Sequence, residues 1–343
     1  MTAPLGIDPE GVERWFRDNV DDVTPPLEFL LIPGGHSCLT YTVDTGDGRR
    51  FVLRRPPAGH TLATAHDVLR EHRIITALAD TDVPVAPVVG ACSDAEVTGA
   101  PFYVMEFVDG IVLHDRAAAE TLTPAPRAGA AQSMIDVLVA LQRVDPDEVG
   151  LGDFAKRTDY LGRQLKRWSS QWAASVKAPL AGMDRLYEWL VANRPDEGRT
   201  CVVHGDFRLG NVIHDRDTGA VAALLDWELS TLGPALADLS YLLRSWVEPR
   251  EAASVARPPA STADGFPTRG VLIERYEQAS GQGTADLSYW LAFHAWRSAC
   301  ITAGVYTRYV TGVMGDRLPE NVEVFGQAVD EGMAAGLAAA GLA

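Results

Sequence analysis

Lysine is almost missing from this chain of 343 residues. Only Lys156, Lys166 and Lys177 are lysines among 30 basic residues, and the first 155 residues contain none. A site in that part of the chain that requires a cation must therefore use arginine or histidine. Cysteine is also scarce: the four cysteines form no C-x-x-C pair, which argues against a zinc ribbon or a disulfide framework.

Long apolar runs and an excess of positive charge are absent as well. No run of about 18 uninterrupted apolar residues occurs, and the N-terminal segment is acidic where a signal peptide would be basic and then apolar. The 30 basic residues face 46 acidic ones, and the formal net charge of -16 disfavours binding to a nucleic-acid backbone. These features predict a soluble cytoplasmic protein that binds neither nucleic acid nor a membrane.

The hydrophobic patterns divide the chain into two parts. Strand-forming runs lie at 27–33, 38–43, 50–55 and 102–108. A helical pattern runs from about His66 to Leu78, and from about residue 128 onward helical periodicity dominates, interrupted at 200–226 by a strand, a turn and a strand.

This order predicts an α+β fold with two lobes and a cleft between them. We expect a small lobe with an antiparallel sheet over residues 1–108, a mainly helical lobe over 109–343, and a hinge near 108–111. The segment 249–267 is rich in Pro, Ala and Ser, which predicts a surface loop.

The polar residues whose spacing indicates a catalytic function lie in VVHGDFRLGNVIHDRDTGAVAALLDWELS, residues 202–230. Asp206 ends a buried strand, Asn211 follows five residues later, and a hairpin of this length returns Asp226 close to Asn211. A carboxylate beside an amide suits Mg²⁺, which accepts oxygen ligands while it keeps water and substrate phosphates. The set matches the template for phosphoryl transfer.

A metallohydrolase site built from His204, Asp206, His214 and Asp226 is the alternative, but it leaves Asn211 unexplained. We expect His204 to be a core histidine that orders the loop around Asp206. We expect Asp238, in PALADLSYLL, to brace the same loop through backbone hydrogen bonds.

The motif HGDFRLGN resembles the catalytic loop of the aminoglycoside phosphotransferase and choline kinase family, whose fold is that of protein kinases, and ALLDWE resembles its metal-binding segment. The resemblance covers nearly the whole chain. It implies ATP and Mg²⁺ as cofactors, Asp206 as the catalytic base, and Asn211 and Asp226 as metal ligands. Arg208, two residues after the base, would neutralise charge in the transition state.

The resemblance also assigns roles in the small lobe. Kinases hold phosphates with a strand lysine that is paired to a helix glutamate, and no lysine exists here to do so. RFVLRR aligns with that strand, so Arg54 is the candidate and Glu71 its partner, while strand alternation turns Arg55 to the other side.

Two further nucleotide contacts follow from the same resemblance. Gly34, Gly35 and Ser37 lie in the turn between the first two strands, where the backbone can approach phosphates. MEFVDG corresponds to the hinge, where the backbone of Glu106 and Val108 would bond adenine.

A helical segment near the C-terminus places Trp290, His294 and Arg297 along one face. These residues either line the pocket for the acceptor or pack the large lobe, and the sequence leaves both interpretations open.

The resemblance implies ATP- and Mg²⁺-dependent phosphorylation of a hydroxyl group on a small molecule. VLRRPP, HGDFRLGN and LDWELSTLG are most similar to the subgroup that also occurs fused to acyl-CoA dehydrogenases. That subgroup favours a hydroxy acid or a hydroxyacyl-CoA as acceptor over an aminoglycoside. The other interpretation, a nucleotide-binding pseudokinase that regulates a partner, is favoured only by the missing lysine.

Overall fold

The computed structural model describes residues 4–33, 38–57, 67–176, 180–249, 251, 258–311 and 322–343. Two lobes are present, and the predicted α+β arrangement, with an antiparallel sheet in the first lobe and helices in the second, is confirmed.

The small lobe contains a five-stranded antiparallel sheet and two helices. Its elements are α1 (Pro9–Asn19), β1 (Glu28–Leu31), β2 (Leu39–Asp44), β3 (Arg50–Arg55), α2 (Val68–Leu78), β4 (Val88–Cys92) and β5 (Phe102–Glu106). The strand order is β1-β2-β3-β5-β4. Helix α1 covers one face of the sheet with Val12, Trp15 and Phe16, and α2 packs on the other face.

Strand β3 shows how alternation prepares the site. Phe51 and Leu53 belong to the core under α1, whereas Val52 belongs to the core that continues into the large lobe. Arg54 therefore shares a face with Val52, and Arg55 shares a face with Leu53.

The large lobe is mainly helical. Its elements are β6 (Ile111–Val112), α3 (Arg116–Glu120), α4 (Pro124–Arg143), α5 (Tyr160–Ser175), α6 (Ala181–Ala192), β7 (Thr200–Val203), β8 (Val212–His214), β9 (Val221–Leu224), β10 (Thr231–Pro234), α7 (Leu236–Ser245), α8 (Arg269–Ser280), α9 (Leu287–Val310) and α10 (Glu323–Ala339). The short strands form a β6-β8-β9 sheet and a β10-β7 ribbon, and these hold the polar motif between the lobes.

The surface-loop prediction for 249–267 is wrong for residues 260–263, which are buried, whereas Asp264 and Gly265 are exposed. Ala260, Ser261 and Thr262 form a short 3₁₀ turn and are 1–3% exposed. Pro258 accepts a backbone hydrogen bond from Arg116, and the Ser261 hydroxyl donates to the carbonyl of Val247. Small side chains in this segment allow it to fit closely against the lobe. Across the ranges given above, no helix is both long enough and apolar enough to cross a bilayer.

Candidate active site

The loop that follows β7 carries the predicted catalytic residue, and Asp238 of α7 holds it. The backbone amides of His204 and Gly205 donate to the two carboxylate oxygens of Asp238 at 2.6 and 2.8 Å. Asp238 is 2% exposed, and burial raises its pKa although His204 and the two amides lower it. The predicted bracing role of Asp238 is confirmed.

Glycine is required at position 205. Its φ of +86° lies in the left-handed region, and a Cβ there would stand 2.5 Å from the carbonyl oxygen of Leu229. The loop before Asp206 therefore packs directly on the turn that follows Asp226.

Asp206 is surrounded by hydrogen-bond donors. Asn211 Nδ2 lies 2.5 Å from Asp206 Oδ2 and 2.9 Å from its backbone oxygen, and Arg208 Nε lies 3.3 Å from Asp206 Oδ1. The Asp206 side chain keeps 16% of its surface exposed, so the carboxylate is both oriented and reachable. Because Asn211 uses its amide nitrogen for these bonds, its Oδ1 remains as the acceptor atom that a metal ligand requires.

Asp226 lies beside Asn211 as the hairpin predicted. The amide of Leu225 donates to the carbonyl of Asn211 at 2.8 Å, which brings the next residue, Asp226, to the open end of β8 and β9. Asp226 adopts a left-handed backbone conformation with φ of 65°, which is uncommon for a non-glycine residue and tolerated best by Asp and Asn. Its side chain is 32% exposed.

Arg54 connects the two lobes. Its Nη2 lies 2.6 Å from Asp226 Oδ1, and its Nε lies 2.8 Å from Glu71 Oε2. Burial lowers the pKa of Arg54, but Glu71, Tyr103 and Asp226 outweigh burial, so the guanidinium stays charged. The structure thus brings together the predicted pair of Arg54 and Glu71 and joins it to the predicted metal ligand.

Glu71 occupies a buried polar cluster. It is 2% exposed, the Tyr103 hydroxyl donates to its Oε2 at 3.3 Å, and ligand atoms of Cys38, Glu71 and Glu228 lie within 4.8 Å of one another. Burial raises the pKa of Glu71 to about 7, against the lowering effect of Arg54. Tyr103 and Glu228 were not singled out in the sequence, because only tertiary packing brings them to Glu71.

Arg55 faces away from the cleft, as alternation predicts. It is 4% exposed, and its guanidinium donates to the carbonyls of Thr98 and Pro56 at 2.8 and 3.1 Å. Arg55 is therefore a structural cation of the small lobe, and burial lowers its pKa.

The remaining predicted nucleotide contacts are the turn after β1 and the backbone that follows β5. Gly34, Gly35 and Ser37 lie outside the described residues. The amide of Glu106 already donates to the carbonyl of Pro87 at 2.8 Å, so a contribution of Glu106 to a base would come from its carbonyl. Val108 is half-buried beside the core that spans both lobes.

The geometry disfavours the metallohydrolase alternative. His204 is fully buried and its Nε2 bonds the carbonyl of Leu225 at 2.9 Å, which confirms its ordering role. His214 is also fully buried and bonds Gly219 within its own hairpin at 3.0 Å. In the described ranges, the one group of His, Cys, Asp or Glu side chains whose ligand atoms lie within 4.8 Å of one another consists of Cys38, Glu71 and Glu228. Neither histidine belongs to this group.

The α9 residues pack the large lobe. Trp290 is 2% exposed and packs edge-on against Phe293 at 5.9 Å. His294 is 3% exposed, bonds the carbonyl of Ala237 at 2.9 Å, and is kept neutral because burial holds its pKa well below 6.5. The packing interpretation is therefore favoured for Trp290 and His294. Arg297 is 9% exposed and lies over the ring of Trp168 at 5.4 Å.

Tyr241 is a site residue that the sequence-based interpretation missed. Burial raises the pKa of its hydroxyl, and the charge of the Asp206 carboxylate raises it further, which places the hydroxyl near Asp206. Its ring rests edge-on against His294 at 5.4 Å. Asp238 and Tyr241 stand three residues apart on α7, so their shared helix face was the signal that could have identified Tyr241.

Comparison with known proteins agrees with this arrangement. Residues 28–279 match the phosphotransferase enzyme family. Acyl-CoA dehydrogenase family member 10 from Mus musculus is 37% identical over 292 residues, which cover 84% of this chain. The chain spans only 27% of the length of that relative.

Solved structures share the fold. A "putative aminoglycoside phosphotransferase" from Ralstonia eutropha is 34% identical, with a TM-score of 0.82 over 97% of this chain and 98% of that one. A thermostable mutant of aminoglycoside phosphotransferase APH(4)-Ia, solved as a ternary complex with AMP-PNP and hygromycin B, is 15% identical with a TM-score of 0.62 over 95% of this chain and 99% of that one. The second likeness concerns the fold alone. The expected protein-kinase-like fold is confirmed, and the chain belongs to the phosphotransferase enzyme family.

Proposed function

We propose that this chain transfers the terminal phosphate of Mg²⁺-bound ATP to a hydroxyl group of a small molecule. The observation that carries the proposal is that Arg54 of the small lobe contacts both Glu71 and Asp226. Asp226 belongs to the large lobe, which also carries the bonded pair of Asp206 and Asn211. This set supports an enzyme over the pseudokinase interpretation, because the guanidinium of Arg54 takes the place of the strand lysine that the chain lacks.

In this proposal the two lobes have different roles. Residues 1–108 would bind the nucleotide, with Arg54 on its phosphates and the backbone at Glu106 and Val108 on its base. Residues 109–343 would supply the catalytic loop and the acceptor site.

The residues at the open end of the hairpin fit a hard divalent cation. Asn211 offers an amide oxygen and Asp226 offers carboxylate oxygens, and both belong to the oxygen donors that Mg²⁺ prefers. When bound, the cation would supply positive charge to the terminal phosphates.

Asp206 would orient the acceptor hydroxyl and accept its proton. Its two donors, Asn211 and Arg208, orient the carboxylate, and its exposed fraction leaves access for a hydroxyl. Arg208, which is 40% exposed, is close enough to Asp206 to offset charge on the transferred phosphoryl group.

The charge around Asp206 supports an anionic acceptor. The positive charges of Arg297 and Arg208 lower the pKa of the Tyr241 hydroxyl, against the raising effect of burial and of Asp206, and Tyr241 raises the pKa of Arg244, which burial lowers. Within the described residues, Arg244 and Arg297 form no ion pair with a carboxylate, although the chain carries a net charge of -16. We therefore favour a hydroxy acid or a hydroxyacyl-CoA as acceptor over a cationic aminoglycoside.

The test is a screen of phosphate transfer from γ-labelled ATP to hydroxy acids, their CoA esters, aminoglycosides and choline. We expect transfer to an acid or a CoA ester, and no transfer without Mg²⁺. Transfer to an aminoglycoside alone would overturn the acceptor class. Nucleotide binding without transfer to any hydroxyl compound would favour the pseudokinase.

A further inference from the structure

Arg70, the neighbour of Glu71 on α2, contacts the large lobe. Its Nη2 lies 2.9 Å from the carbonyl oxygen of Ser230 and 3.5 Å from that of Phe154. Its guanidinium carbon stands 3.8 Å from the centroid of the Phe154 ring. Two adjacent residues of α2 therefore have different partners: Glu71 contacts Arg54 of the small lobe, and Arg70 contacts the large lobe.

Ser230 is the residue that closes the turn begun at Asp226. Its amide and its hydroxyl both donate to the carbonyl of Trp227, at 3.0 and 2.6 Å, and it is 2% exposed. The next residue, Thr231, pairs with Val203, which leads into the catalytic loop. A bond to Ser230 is therefore a bond to the segment that carries the proposed metal ligand.

We infer that Arg70 is a positioning residue, which holds α2 on the Ser230 segment so that Glu71 keeps Arg54 directed at Asp226. The inference rests on the proposed function for its kinetic consequence, but the clamp itself is a property of the fold.

Arginine suits this role because of its shape. A planar guanidinium can donate to a carbonyl in its plane and stack on an aromatic face at the same time, whereas a lysine ammonium can satisfy only one of these contacts well. The partners of Arg70 in the described part of the chain are carbonyls and a ring, and burial lowers its pKa. Contacts of this kind are screened by salt less than an exposed ion pair is.

Arg73, one turn further along α2, provides a matched control. It also reaches the large lobe, where it bonds the carbonyl of Gly150 at 2.9 Å and pairs with Asp153. The two side chains are 44% and 83% exposed, so this pair contributes little to holding the helix.

The kinetic test compares Arg70→Ala, Arg70→Lys and Arg73→Ala in the full chain. We expect Arg70→Ala to weaken AMP-PNP binding with Mg²⁺ and to raise KM for ATP by roughly tenfold, the effect of losing about 1.4 kcal/mol. KM for the acceptor stays unchanged, Arg70→Lys recovers part of the loss, and Arg73→Ala stays within about twofold of wild type.

Hydrogen exchange tests the clamp without any activity. We expect Arg70→Ala to accelerate amide exchange in Val68–Leu78 by roughly fivefold to tenfold, with no change in α4. Unchanged exchange in α2, an equal effect of Arg73→Ala, or uniform acceleration in both helices would overturn the inference. A wild-type protein that binds no nucleotide would refute the proposed function instead, and exchange in α2 would still decide the role of Arg70.

Discussion

Arg54 Nη2 lies 2.6 Å from Asp226 Oδ1, so the cation of the small lobe is bonded directly to the proposed metal ligand of the large lobe. Glu71 Oε2 lies 2.8 Å from Nε of the same guanidinium. Arg54, the proposed phosphate-binding cation, therefore contacts both Glu71 and the proposed metal ligand Asp226.

The first prediction concerns this arginine. Arg54→Ala should raise KM for ATP and lower kcat, because it removes the phosphate contact and leaves Glu71 buried without its cation. Arg54→Lys should recover part of the loss, since the charge remains but the fork that reaches two carboxylates does not. Steady-state kinetics with ATP as the varied substrate measure both effects.

Arg55 is the control for Arg54. Arg55→Ala should lower the Tm, because the bond to Thr98 is lost, while KM for ATP stays at the wild-type value. A kinetic loss at Arg55 with none at Arg54 would contradict the assignment of the two strand faces.

The second prediction concerns the metal ligands. Asp226→Ala should abolish the tightening of ATP binding by Mg²⁺, whereas Asn211→Ala should weaken it less, because the carboxylate carries the charge. Calorimetry of ATP with and without Mg²⁺ measures the difference. Equal effects of the two substitutions would be inconsistent with these roles.

Part of the site could be predicted from spacing alone. Asp206, Asn211 and Asp226 are joined by a short hairpin, so a local register determines their proximity. Alternation along β3 was enough to separate Arg54 from Arg55.

Other members depend on packing between distant segments. Tyr241 and Arg70 acquire their partners only when α7 and α2 dock, and helical periodicity does not state which carbonyl or carboxylate a side chain will meet. The surface-loop prediction is wrong at residues 260–263 because their composition resembles a loop, while their small side chains are what permit their burial.

The third prediction concerns Tyr241. Tyr241→Phe keeps the ring on His294 but removes the hydroxyl near Asp206, so kcat should fall by roughly tenfold with nucleotide affinity unchanged. Tyr289→Phe is the control, because the buried Tyr289 hydroxyl donates to Leu190 far from Asp206 in sequence and should affect only the Tm. An unchanged kcat in Tyr241→Phe would remove Tyr241 from the site.

The fourth prediction concerns acid stability. Burial lowers the pKa of His214 from 6.5 to about 4, so the unfolded chain takes up its proton first as the pH falls. The stability that neutral His214 contributes is complete above pH 6.5 and is lost on the way to pH 4, by up to about 3 kcal/mol.

Denaturant unfolding at several pH values measures this loss. His214→Gln, which carries no titrating group, should be less sensitive to acid than wild type, whereas the exposed His114 replaced by Gln should not change the pH dependence. Identical acid sensitivity of His214→Gln and wild type would contradict the assignment.

Asp206→Asn in the presence of Mg²⁺, ATP and an accepted hydroxyl compound tests the account most directly. The variant should bind ATP with wild-type affinity, measured by calorimetry, and should transfer phosphate with a kcat lower by about 100-fold or more, because an amide cannot accept the hydroxyl proton. Near wild-type transfer by Asp206→Asn would contradict the account.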